Sequence, residues 1–321
     1  MRAFVTGATG FIGGRLVRRL RERGDEVVAL VRSPDKARDL DAELVAGDLG
    51  DREAIRKALE GCDACFHVAA VYKVGIPRSE REPMFESNVR GTEHVLDAAV
   101  DAGVKRIVYV STVNVFGNTK GKVVDEGYRR DTAEGFLSAY DESKFRSHEV
   151  ALDRIAKGAP IVIVQPGGVY GPGDHSEVGN MIDQTSRGKL RMKAFPELGL
   201  NLVYVDDVAD GILLAHDRGE IGESYVLGGE LATMGDLIDR VAAMSNQKPP
   251  RLTLPPAVAK LSAPLGPVVG PALGFPPNLS EAIKAAHNVT YWANDEKARR
   301  ALGYTPRDLD TGLRETLASQ G

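Results

Sequence analysis

The chain has 321 residues, 43% hydrophobic and 27% charged, with 41 lysines and arginines against 45 aspartates and glutamates. That profile is that of a globular protein with ample chain to bury a core, in one large domain or two smaller ones. A net charge of −4 with no block of like sign excludes a polyanion-binding surface, so neither nucleic acid nor an anionic membrane is expected as a partner.

The first residues, MRAFVTGATG, enter a strand with no basic and apolar leader, so no signal peptide and a cytoplasmic location are expected. After RAFVTG a helix is predicted from about Ile12 to Arg23, with Leu16, Val17 and Leu20 on one face and Gly24 as its stop. EVVALV is the next strand. SPDKA then opens a helix with Ser33 as N-cap and Pro34 at the first position, and AELVAG follows as a strand. A helix opening at Asp51 leads to ACFHVAA, and a long helix runs from near Pro83 to Ala102, ended by Gly103. KRIVYVST, a helix bearing Tyr140, and the run PIVIVQPGGVYG complete the series. Helices alternating with strands that are apolar on both faces predict an α/β fold, a doubly wound parallel sheet covered on both sides.

Beyond this the pattern loosens into sheet-like NLVYV and SYVLGG, helices near 207–218 and 234–245, and nine of the 17 prolines between Pro249 and Pro277. A smaller, mixed C-terminal lobe is expected. Residues 1–170, with 201–218 returning to them, are assigned to a dinucleotide-binding domain, and 171–200 with 219–321 to a substrate-binding lobe. The apolar stretch Leu254–Phe275 carries five prolines and a lysine, which predicts irregular or short-helical packing and no stable membrane insertion.

Cys62 and Cys65 form a CxxC pair, which is a redox motif or half a zinc site. A zinc site needs two more ligands, and the six histidines form no HExxH-like cluster, so no metal is expected. Cys65 heads a buried-looking strand, where a thiol behaves as a small hydrophobe, and both thiols are expected reduced.

In TGATGFIGG, Gly7, Gly10 and Gly13 recur every third residue between a strand and a helix. Such a turn brings backbone close to a pyrophosphate at the positive end of the helix, the mark of a Rossmann-type domain. Thr9, Phe11 and Ile12 of the same loop are counted with the cofactor site. At the end of the second strand an acid would bond a free ribose 2′-hydroxyl, whereas this chain has Val31 and Arg32, with Ser33 and Lys36 close by. Arg32 and Lys36 suit a 2′-phosphate, so NADP is expected ahead of NAD.

In AYDESKF, Tyr140 and Lys144 lie four apart, which places both on one helix face with Cβ atoms roughly 6 Å apart. An ammonium about 5 Å from a phenol contributes ~3 kcal/mol at an effective dielectric of about 20, lowering the phenol by about two pKa units. A phenol so tuned gives a proton to a carbonyl oxygen or takes one from an alcohol. The strand RIVYVST offers Ser111 or Thr112 as a partner hydroxyl, and adjacent strand residues face opposite ways, so only one serves. Asp206 or Asp207 is expected to cap the helix that follows rather than form a catalytic dyad.

TGATGFIGG, GDL at 47–49, HVAA at 67–70, SNVRGT at 87–92, Tyr140 with Lys144, PGGVYGPGD at 166–174 and YVDDVADG at 204–211 occur in that order. Together they resemble the extended short-chain dehydrogenase/reductase family, or NAD-dependent epimerase/dehydratase superfamily, from residue 1 to about 307. Its dihydroflavonol-reductase-like proteins and hopanoid-associated sugar epimerases are the branches most alike. The resemblance implies Tyr140, Lys144 and Thr112 as the catalytic set, Thr112 because the family's hydroxyl lies five residues before the glycine that here is Gly117. Lys144 would also hold the nicotinamide ribose. It further implies that Asp48 and Leu49 meet the adenine, that Ala69 and Ala70 line the cofactor, that Pro166 and Val169 lie at the carboxamide, and that Asn88 sits in the central helix. Many members dimerise through four helices, here those around 83–102 and 139–157.

Two departures bear on substrate. The asparagine that commonly precedes VYGP is Gly168, and the arginine common five residues before Val205 is Leu200, which removes two diphosphate-binding groups. The pocket is assigned to Tyr72, Val113, Asn114, Phe116, Gly168 and Met192, with Phe195, and predicts an apolar carbonyl or hydroxyl compound. An NADPH-dependent carbonyl reductase or alcohol dehydrogenase is therefore expected. The alternatives are a sugar epimerase/dehydratase with a tightly held cofactor and a nucleotide-sensing binding protein.

Overall fold

The structure, a computed structural model, describes residues 1–254 and 276–319. The packing expected for the apolar stretch, at 255–275, lies outside them. Seven parallel strands make the main sheet: β1 (Arg2–Thr6), β2 (Glu26–Val31), β3 (Glu43–Ala46), β4 (Ala64–His67), β5 (Arg106–Val110), β6 (Ile161–Pro166) and β9 (Ser224–Leu227). Their order is β3–β2–β1–β4–β5–β6–β9, and the register sets Phe4 between Val28 and Cys65. The strands are apolar on both faces because both are covered. Val27, Ala29 and Val31 pack with α1 (Phe11–Glu22) and α7 (Val205–Arg218) on one side. Val28 and Leu30 pack with α2 (Arg52–Leu59), α4 (Gly91–Asp101) and α5 (Ala139–Ala156) on the other. Each fully buried Val, Leu, Ile or Phe contributes roughly 1.5–3 kcal/mol, so these two layers are the main source of stability.

Several elements differ from expectation for local reasons. SPDKA forms only a 3-10 turn over Pro34–Ala37, uncapped by the Ser33 side chain, because β3 begins six residues later. The long helix starts earlier, as α3 (Arg78–Phe85) with Pro83 inside it, and passes through a π turn at Glu86–Arg90 into α4. Neither Asp206 nor Asp207 caps α7, whose N-cap is Tyr204. Asp207 instead accepts from Arg307 at 2.9 Å, and that guanidinium lies 4.1 Å from the centroid of the Tyr204 ring. Cys62 and Cys65 are both buried free thiols, and burial pushes the Cys65 thiol up.

The run PIVIVQPGGVYG divides at Gly167. β6 stays in the main sheet, while β7 (Gly168–Tyr170) joins a second sheet in the order β10–β8–β7, with β8 (Gly199–Tyr204) parallel to β7 and β10 (Glu230–Thr233) antiparallel to β8. Residues 201–218 therefore divide between the small sheet and α7, which lies on α1. SYVLGG, expected in the C-terminal lobe, supplies the seventh strand of the main sheet. The small sheet packs on α6 (Glu177–Ser186), α8 (Met234–Met244) and α11 (Leu309–Ala318), with α9 (Leu279–Ala286) and α10 (Glu296–Leu302) preceding the last of these. Among the described residues no helix is long and apolar enough to cross a membrane.

Gly167 holds the division. A Cβ there would fall 2.1 Å from the Asn201 carbonyl oxygen, and the Asn201 side chain ties this point to Ala293 and Gly229 at 2.7 and 2.8 Å. Gly167→Ala is expected to cost about 2 kcal/mol, read as a lower urea midpoint with an unchanged slope.

Candidate functional site

The glycine loop leaves β1 where the strand order reverses between β2 and β4, the place where an open α/β sheet forms a crevice. Gly7 has φ +72°, and a Cβ on it would meet the Ala69 nitrogen at 2.8 Å; a Cβ on Gly13 would meet the Gly7 carbonyl at 2.0 Å. Loop, helix and β4 exit thus touch backbone to backbone. No side chain caps α1 at Gly10, and the amides of Phe11 and Ile12 precede the first bond of the turn, Gly14 N–H to Gly10 O at 2.9 Å. A helix start so bared, with Thr9 and Gly10 exposed beside it, fits an anionic group. Ala70 is exposed next to half-buried Ala69. Past β3, Asp48 is exposed and accepts the Gly50 amide at 2.8 Å, while Leu49 packs against Gly91. Past β2, Arg32 and Lys36 are exposed, and among the described residues neither side chain has a hydrogen-bond or ionic partner. Pro166 ends β6 and Val169 is half-buried in β7. These groups follow the C-terminal edges of the strands in order, and the glycine cradle fits an extended dinucleotide.

Helix α5 carries the candidate catalytic pair. Ser138 caps it by accepting the Asp141 amide at 3.0 Å. Its inner face buries Tyr140, Ser143, Lys144 and Ser147, an unusual set for a buried helix face. Burial pushes the Tyr140 phenol up, and the nearby Thr112 hydroxyl works against that. Lys144 donates to Val110 O at 3.0 Å and to the Tyr109 hydroxyl at 3.4 Å, and burial pushes it down to about 7. The net shift of the phenol is upward, against the lowering expected from Lys144, because burial dominates it. Thr112 also accepts the Asn114 amide at 3.2 Å, whereas Ser111 pairs with His148 Nδ1 at 3.0 Å. Tyr140 and Thr112 are thus brought together, and Ser111 faces away.

A buried chain of polar groups runs behind the pair. Thr6 Oγ1 accepts the Val68 and Ala69 amides, both at 3.2 Å, so its own proton goes to His67 Nδ1, 2.8 Å away. His67 must then carry its proton on Nε2 and donate to Thr92 at 3.0 Å; Thr92 in turn donates to Asn88 O at 2.6 Å. Burial, with the Lys144 charge second, pushes His67 down to about 3 and keeps it neutral. Asn88 sits in the π turn, clasps Val71 N and O at 2.7 and 3.0 Å, and donates to Ser143, which donates to Tyr140 O at 2.9 Å. The glycine-loop strand and the Tyr140 helix are joined by one directed network.

Asp141 and Arg130 lock the start of α5 from the other side. Their side chains are buried and paired at 2.6 and 3.1 Å, and Asp141 also accepts the Leu137 amide at 2.8 Å. Removing one partner of such a pair costs about 3–5 kcal/mol. Neither residue carried a spacing signal in the sequence. Of the expected pocket residues, Tyr72 meets Tyr140 edge-on with ring centroids 4.7 Å apart and opens on a cavity of about 290 Å³ lined by Val74, Ile76, His175, Glu177 and Pro277. Asn114 accepts from Thr112 at 3.3 Å. Gly168 begins β7, and Met192 is exposed on the chain leading to β8. Val113 and Phe116 are buried in a core cluster with Val124, Val226 and Tyr291, so their apolar surface is taken up by packing.

Residues 3–228 match the model of the family described as NAD dependent epimerase/dehydratase. A Synechocystis protein provisionally named a dihydroflavonol 4-reductase is 38% identical over 262 residues, covering 78% of this chain and 75% of its own. A Stigmatella aurantiaca protein named 4-hydroxy-2-methyl-3-oxo-4-farnesyl-3,4-dihydroquinoline-1-oxide ketoreductase is 32% identical and covers 96% and 92%. The crystal structure of gox2253 superposes with a TM-score of 0.84 at 34% identity, over 99% of this chain and 97% of that one.

His67, which is buried, and His148, which is half-buried, give the site an acid limit. Unfolded histidine takes a proton below pH 6.5, whereas His67 and His148 stay neutral down to about 3 and about 4, so stability is full above 6.5 and lost as pH falls below it. Each should contribute a slope of about 1.4 kcal/mol per pH unit in that window, measured as urea midpoints from pH 7 to 4.5. Nitrogen-15 spectra should show His67 neutral with its proton on Nε2 across that range.

Proposed function

Because the chain belongs to the NAD-dependent epimerase/dehydratase family, we propose that it is an NADPH-dependent reductase of an apolar carbonyl compound, or the reverse dehydrogenase. The observation that carries this reading is the buried Tyr140 phenol beside the Thr112 hydroxyl, with buried Lys144 one helical turn further on. The nucleotide, when bound, supplies the hydride to the carbonyl carbon. Gly7, Thr9, Gly10, Phe11, Ile12 and Gly13 would hold its pyrophosphate, Asp48 and Leu49 its adenine, and Pro166 and Val169 its carboxamide end.

Tyr140 gives its proton to the substrate oxygen, and Thr112 orients that oxygen. The raised phenol holds its proton at neutral pH and gives it only to an oxyanion more basic than itself, such as the alkoxide that hydride addition creates. Lys144, close to neutrality in the free protein, offers a donor to the ribose hydroxyls and, once charged, stabilises the phenolate left behind. The unengaged Arg32 and Lys36 support a 2′-phosphate, and hence NADP. Gly168 and Leu200 support a substrate without a diphosphate, and the names of two relatives point to reductases. The same reading includes a homodimer through α4 and α5, tested by a light-scattering mass near twice 34.5 kDa.

The first experiment is to denature the purified protein and identify any nucleotide released. Freely exchanging NADPH, bound more tightly than NADH, is the expected result. Near-stoichiometric NAD(H) that does not exchange would replace this reading with the epimerase. Tyr140→Phe should lower kcat by about 10²–10⁴-fold while nucleotide affinity stays within about twofold. Arg32→Glu should weaken NADPH about tenfold or more and leave NADH unchanged.

A further inference from the structure

Helix α9 belongs to the C-terminal half of the chain, yet its polar side chains reach the first turn of α5. Glu281, 7% exposed, accepts the Ala139 amide on Oε1 at 2.8 Å. Its Oε2 accepts from Arg81 of α3 at 2.8 Å and from Asn278 at 2.9 Å. One turn further on, Lys284 donates to Phe136 O at 2.7 Å. Ala139 is the first residue of α5, so its N–H has no acceptor within the helix, and the Ser138 hydroxyl serves Asp141 instead. The missing acceptor comes from a residue 142 positions away. A carboxylate suits that place, because the helix start is electropositive and a charged acceptor makes the stronger bond.

We propose that Glu281 is a positioning residue for Tyr140, through which the C-terminal lobe seats the first turn of the catalytic helix. The inference rests on the reading of Tyr140 as proton donor. The same segment reaches the cavity beside Tyr72. Asn278 N–H bonds Gly75 O at 2.8 Å, and a Cβ on Gly75 would lie 2.6 Å from the Pro276 Cβ. Gly75 and Pro277 line the cavity, so a substrate held there bears on the element that aligns Tyr140.

The test compares Glu281→Ala with Glu281→Gln, which keeps an acceptor oxygen for Ala139. Amide hydrogen exchange, measured without substrate, should show Ala139 about tenfold faster in the alanine variant, with the second half of α5 unchanged, and wild-type protection in the glutamine variant. With NADPH, Glu281→Ala should lower kcat about tenfold at constant KM for the nucleotide, and Glu281→Gln should restore most of it. Wild-type exchange in the alanine variant, or equal loss in both variants, overturns the proposal, the latter by assigning the effect to the Arg81 pair. If the alanine variant does not fold, Lys284→Met carries the test: faster exchange confined to residues 136–139 supports the seat, and no change overturns it. If the exchange pattern is as expected but Tyr140→Phe retains full turnover, the proton-donor reading fails and the seating of the helix stands.

Discussion

Helix α5 buries a tyrosine, a lysine and two serines against β5, and a polar helix face stays buried only if each of its donors and acceptors finds a partner. Much of the surrounding structure supplies those partners. Val110 O and the Tyr109 hydroxyl take the Lys144 ammonium, Thr112 meets Tyr140, and Asn88 O and Nδ2 meet Ser147 and Ser143. The π turn at Glu86–Arg90 is part of the same arrangement. Within it, Asn88 O accepts from both the Thr92 and the Ser147 hydroxyls.

Burial, with the Lys144 charge second, governs the nearby histidines. Lys144 and burial together keep His67 and His148 neutral, and neutrality is what lets each ring act as donor on one nitrogen and acceptor on the other. A protonated His67 would present two donors and lose the Thr6 proton that now comes to it. The chain from Thr6 through His67 and Thr92 to Asn88 O has a fixed direction for this reason, and through Asn88 and Ser143 the network ties the glycine-loop strand to the main chain of α5 at Tyr140.

The start of α5 is fastened from three parts of the chain. Ser138 caps it locally, Arg130 holds Asp141 from the preceding loop, and Glu281 and Lys284 reach it from the C-terminal lobe. The two sheets part at Gly167, directly after the last residues of β6, so the second sheet and the helices packed on it stand beside the C-terminal edge of the first. The cavity beside Tyr72 is lined from separate parts of the chain, by Val74 and Ile76, by His175 and Glu177, and by Pro277.

Local pattern determined a great deal. Continuous apolar runs marked the strands of the main sheet and period-3.6 apolar repeats its helices, since burial on both faces is written into VVALV and IVIV. The glycine spacing and the four-residue interval from Tyr140 to Lys144 marked the candidate cofactor cradle and the pair proposed as catalytic, because both are patterns within one turn or one helix face. Local pattern misled where a short segment had an obvious local use. Ser33 and Asp206 looked like caps, and Val113 and Phe116 like pocket walls, until tertiary neighbours fixed their actual surroundings. Only the tertiary structure decided the division at Gly167, the directed chain through His67, the Arg130–Asp141 lock and the reach of Glu281 to Ala139. Each joins atoms far apart in sequence, or depends on burial that neighbouring elements create, and no periodicity or spacing encodes such a meeting.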